Sequence, residues 1–190
     1  MVVGKAPGKP CLYPPQTKRL GNLEPETKKN TKKTQMKILA IDPGPKTSAW
    51  LIWDSDKKSI HDIGNAKEEN QSMLCIIQKR DIDYFAIEMV ACYGMAVGAD
   101  IFETVFWIGR FWEAASSHCQ IMKKVYRKDV KIHLCGSMKA KDTNIRQALI
   151  DKHGAPGTKA APGKLYGVKT HLWAALAVAD YVLTEGLNDK

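Results

Sequence analysis

Hydrophobic positions divide the chain into short solid runs and longer periodic ones. Residues 37–42, "KILAID", form a continuous apolar run that ends on a carboxylate. Such a run suits a strand buried on both faces. After "PGP" a second apolar run, 47–54, makes a hairpin partner, and 58–66 predict a third, weaker strand. Residues 68–80 place Met73, Leu74, Ile76 and Ile77 on one side of a helix. The run "DYFAIEMV", 83–90, predicts a fourth strand and again carries an acid, Glu88, near its end. A glycine-containing loop leads to a long helix over 100–119, rich in Phe and Trp. The stretch "DVKIHLC", 129–135, predicts the fifth strand. A helix capped by Asp142 or Thr143 follows, then a loop over 154–167 and a last helix from about Thr170 to Leu183. Three strands in hairpin order, then alternating strands and helices, predict an α/β domain with a mixed five-stranded sheet flanked by helices.

Residues 1–35 lack this patterning. Pro, Gly, Lys and Thr dominate, which predicts a disordered basic tail, with the folded domain spanning 36–190. Met36 directly precedes the first strand and is an alternative start; the tail is then either a dispensable extension or an electrostatic tether to phosphate backbones. Charge follows the same division. The chain of 190 residues carries a formal +9; residues 1–36 hold eight Lys or Arg and two Glu, a net +6, leaving +3 for the rest. A basic balance of this kind points to polyanionic partners. No stretch approaches 18 uninterrupted apolar residues, so no membrane span is expected. The N-terminus lacks the apolar core of a secretory signal. The five cysteines include no C-x-x-C pair and fit reduced thiols in the cytoplasm.

Asp42 and Glu88 occupy matching places at the ends of two apolar strands. An acid inside an apolar strand is costly unless it is paired or liganded. Either Asp42 caps the Pro-Gly turn and Glu88 pairs with a lysine, or a divalent cation such as Mg²⁺ or Mn²⁺ lies between them. Metal-bound acids of that kind support phosphodiester hydrolysis.

"ILAIDPG", "FAIEMV", a long helix and "HLWAALAVADYVL", in this order over residues 37–185, resemble the RuvC-like Holliday junction resolvases of the ribonuclease H-like superfamily, particularly divergent phage and prophage members. The resemblance implies a Mg²⁺-dependent endonuclease cutting branched DNA, with Mn²⁺ as a substitute, acting as a homodimer in a bacterial or phage-infected cell. It also implies that Asp42, Glu88 and His171 are the catalytic, metal-binding residues, with His171 either ligating a metal through a neutral ring nitrogen or acting as general base to the attacking water. Three residues past the His171 position better-known members carry Asp, where this chain has Ala174. Residues 171, 174, 175 and 178 share one helix face, and Asp180 lies about 600° on from position 174, so it cannot replace the missing acid. Asp142 is a more distant candidate. The alanines at 174, 175, 177 and 179 would let the last helix approach the sheet closely.

For DNA, Lys139 and Lys141 precede a helix whose N-terminal amides favour anions, Lys46 sits in the turn after Asp42, and Arg110 lies on the long helix. The resemblance implies that Tyr93, in the loop after Glu88, stacks on unpaired bases. The wide apolar stripe over 100–119 exceeds one core face and suggests a second buried surface, which the resemblance makes a dimer interface. Two other readings remain. Lacking the acid at 174, the protein could bind branched DNA without cutting it. Asp42-x-Gly44 before a hairpin also resembles the first phosphate motif of actin-like kinases, but these need a second such motif and a second domain.

Overall fold

A computed structural model describes residues 36–65, 67–92, 94, 96–119 and 121–186. The expected tail over 1–35 and Tyr93 lie outside the described residues. The strands are β1 (Lys37–Asp42), β2 (Thr47–Asp54), β3 (Ser59–Ile63), the two-residue β4 (Glu68–Glu69), β5 (Tyr84–Met89) and β6 (Ile121–Tyr126). The helices are α1 (Asn70–Lys79), α2 (Ala99–Ser116), α3 (Arg127–Cys135), α4 (Asp142–His153) and α5 (Leu172–Tyr181), the last continuing as a π-helical turn over Val182–Gly186.

The main sheet runs β3-β2-β1-β5-β6, with β4 pairing β2 at its start. Strands β1, β2 and β3 are antiparallel neighbours, whereas β1, β5 and β6 run parallel. Both faces of the central strands are covered. Ile38, Ala40, Leu51, Tyr84 and Ala86 pack beneath α3, α4 and α5. Leu39, Ile41, Ile52, Phe85 and Ile87 pack against α1 and α2. Double coverage explains why β1 and β5 read as unbroken apolar runs rather than alternating ones. Ala175, Ala177 and Ala179 are fully buried, and α5 lies across β1, β2 and β5, as its small residues allow.

Two elements differ from the sequence expectation: Glu68–Glu69, expected to open the first helix, form the short strand β4, and the fifth strand is displaced. Residues 129–135 form part of helix α3, and the fifth strand is 121–126, one step earlier. Val130, Ile132 and Leu134 alternate, yet Val130 and Leu134 are also four apart; both reach the core, while Ile132 is exposed. The helical period therefore describes them. The true strand, "IMKKVY", is an edge strand with two lysines, a composition that protects an open edge and hides the strand from hydropathy. The cap of α4 also moves by one residue: Lys141 is the N-cap, its amide donating to Asn144 Oδ1 at 2.9 Å, and Asp142 is the first helical residue.

Candidate active site

Three parallel strands end at one edge of the sheet, and each delivers a charged side chain there. Ile41 pairs with Ile87, so Asp42 and Glu88 are the next residues on adjacent strands. Both share the parity of Ala40 and Ala86, whose side chains face α5. Met89 pairs with Tyr126, and Arg127 follows at once as the first residue of α3. Ligand sites of open α/β sheets form in this place, outside the carboxyl ends of parallel strands.

The turn after Asp42 is held from behind. Buried Asn70 donates through Nδ2 to the Gly44 carbonyl at 2.9 Å and accepts from Ser48 Oγ at 2.7 Å. The Gly44 amide donates to Ser48 Oγ at 3.3 Å. A Cβ at Gly44 would lie 2.5 Å from the Thr47 carbonyl oxygen, so the turn closes only around glycine. His171 enters from the opposite side, at the N-cap of α5. The preceding Thr170 has φ 44°, a strained left-handed conformation for a β-branched residue.

Asp42, Glu88, Arg127, Asp142, His171 and Ala174 line one cavity of about 250 Å³, with Ile145 and Trp173 as its apolar wall. A second cavity of about 220 Å³ continues past Asp42, Glu88 and Arg127 to Pro43 and Val90. His171 Nδ1 lies 3.3 Å from Asp42 Oδ2. Arg127 bridges two acids, with Nη1 3.4 Å from Glu88 Oε2 and Nη2 2.6 Å from Asp142 Oδ1. Burial pushes the Asp42 carboxyl up to about 6, against the lowering pull of Arg127. Burial raises Glu88 to about 7; Arg127 opposes this, and Asp42 and Asp142 reinforce it. The Arg127 guanidinium, though penalised by burial, is held above its ordinary value by Glu88 and Asp142.

The structure therefore brings Asp42, Glu88 and His171 into one cavity. The proposed DNA contacts are more scattered. Lys46, Lys139 and Lys141 are exposed and line neither cavity. Arg110 stacks over the Trp107 ring at 4.4 Å on α2. Asp180 turns away from the site, as its helical phase requires, and accepts from His153 at 2.7 Å and Lys152 at 2.9 Å. Sequence reasoning missed Arg127. Its signal was its place directly after a strand, visible only once that strand is set at 121–126. Arg146, stacked 5.0 Å over Trp173, adds a cation beside the cavity wall.

The chemistry of the donors fits a hard divalent cation: carboxylate oxygens and one imidazole, with two acids whose ionised forms burial disfavours. In the present rotamers no three His, Cys, Asp or Glu side chains among the described residues close around one point. Arg127 stands between Glu88 and Asp142.

Sheet order, strand directions and helix placement together define a ribonuclease H-like α/β fold. Solved structures that share it include RuvC from Thermus thermophilus and the same protein in complex with Holliday junction substrate. The first is 18% identical with a TM-score of 0.56, covering 80% of this chain and 97% of that one. The second is 16% identical with a TM-score of 0.56, covering 77% of this chain and 92% of that one. The chain has a RuvC-like fold. No family model matches it, and no curated protein matches its sequence.

Proposed function

We propose that this chain is a divalent-metal-dependent endonuclease that cuts branched DNA, with a four-way junction as its leading substrate. The observation that carries this reading is the convergence of Asp42, Glu88 and His171 on one cavity at the carboxyl edge of a RuvC-like sheet. Asp42 and Glu88 would hold Mg²⁺, or Mn²⁺ in its place. The bound ion would activate water and stabilise the leaving oxygen of the scissile phosphate. His171, whose Nδ1 lies 3.3 Å from Asp42 Oδ2, would take a proton from the attacking water. Exposed Lys46, Lys139 and Lys141 and half-buried Arg110, together with Tyr93, would hold phosphates and bases around the cut.

A second copy of the chain is the proposed partner for α2, which leaves Phe102 67% and Phe106 59% exposed. A symmetric pair would present two sites to the two strands of a junction. Among the described residues no helix is long and apolar enough to cross a membrane.

Asp42→Asn should abolish cleavage of a synthetic four-way junction in Mg²⁺ while leaving junction binding nearly intact. Full cleavage by that variant refutes the assignment. The second reading, a junction-binding protein that does not cut, draws on Ala174 and on the Arg127 bridge. Tight binding by wild type without products in Mg²⁺ or Mn²⁺ would favour it.

A further inference from the structure

The cavity holds more acid than the three proposed residues account for. Asp42, Glu88 and Asp142 carry three negative charges when ionised, and Arg127 offsets one. A net of two negative charges remains, which matches one divalent cation. Position 174, on the face of α5 that lines the cavity, offers only a methyl group. Asp142 reaches the same space from α4, across the cavity from Glu88, and Arg127 binds both acids at once. The Asp142 side chain is 77% exposed, so solvent reaches it in this arrangement.

We propose that Asp142 supplies the metal-binding carboxylate that α5 lacks at Ala174, with Arg127 holding it beside Glu88 until a cation takes that place. This rests on the metal-dependent reading of Asp42 and Glu88. The arrangement moves one ligand from a central helix to the start of α4, where it also favours the positive end of the helix dipole. Arg127 is then a positioning residue: it keeps two acids near each other that would otherwise repel.

The test is Mn²⁺ binding to the full chain without DNA, followed by the electron paramagnetic resonance of free Mn²⁺ and by calorimetry. Loss of an outer-shell partner typically weakens a site by about 10–100-fold, so loss of a direct ligand in Asp142→Asn should weaken Mn²⁺ binding by at least about tenfold. Adding Ala174→Asp to that variant should restore it. The loss should persist in 1 M salt, where the Debye length falls to about 3 Å and purely through-space effects are screened. Unchanged Mn²⁺ binding in Asp142→Asn, or a loss that vanishes in high salt, overturns the proposal. Asp42→Asn separates the two claims. If that variant loses Mn²⁺ and Asp142→Asn does not, the active-site reading stands and this inference fails. If wild type and Asp42→Asn bind Mn²⁺ alike, the reading itself fails.

Discussion

Replacing Asp42 by Asn should make the metal-free protein more stable. The Asp42 carboxyl is displaced by burial from 3.8 to about 6. An acid whose folded value lies above its unfolded one imposes no penalty while both states are protonated. The penalty grows as pH rises through the unfolded value and is complete above the folded one. At 1.36 kcal/mol per pH unit, the ionised side chain costs the fold about 3 kcal/mol above pH 7. Asn carries no charge but still must satisfy its amide, and Glu88 relaxes once its neighbour is neutral, so a net gain of about 1–3 kcal/mol is expected. For a chain of this size that is a rise in Tm of roughly 3–10 °C. The assay is thermal unfolding of both proteins in EDTA at intervals from pH 4 to pH 8. The two curves should meet near pH 4 and separate as pH rises, with the variant above. Added Mg²⁺ should stabilise wild type and leave the variant unmoved. A difference independent of pH, or a wild type more stable than the variant at pH 8, would refute the argument that this acid is held under strain for a cation.

Other expectations follow from the same geometry. Gly44→Ala drives a Cβ onto the Thr47 carbonyl, which should cost roughly 2 kcal/mol in urea unfolding and lower cleavage by displacing Asp42. Burial would raise the Asp180 carboxyl, but its hydrogen bonds from His153 and Lys152 outweigh this and hold it below the ordinary carboxylate range. Its contribution is therefore present above about pH 4 and lost as pH falls through the folded value, and Asp180→Ala should cost about 3 kcal/mol at pH 7 with the deficit shrinking in acid. Phe102→Asp should convert a dimer to a monomer in analytical ultracentrifugation; a wild type monomeric at tens of micromolar (on the scale of ordinary homodimer affinities) would remove α2 as the interface.

The legible parts of the sequence were those where local pattern and burial agree. β1 and β5 are covered on both faces, so their runs are unbroken and the acids that end them stand out. The edge strand β6 carries Lys123 and Lys124 and looks polar, while the neighbouring α3 places three apolar residues at alternate positions. Each is short enough that either period describes it. That ambiguity hid Arg127, whose role depends on sitting at a strand end. The closeness of Asp142 to Glu88 is purely tertiary, since α4 and β5 lie far apart in sequence and no local signal joins them. The spacing of Asp42 and His171, 129 positions apart by numbering, was visible only through the resemblance; the structure sets the two side chains 3.3 Å from each other.

The most direct measurement is cleavage of four-way, three-way and linear DNA by the wild-type chain, with Mg²⁺ and with EDTA. The account predicts paired cuts near the branch point of the four-way junction in Mg²⁺, none in EDTA, and little action on linear duplex. Cutting that continues in EDTA, or that ignores the branch, would contradict it.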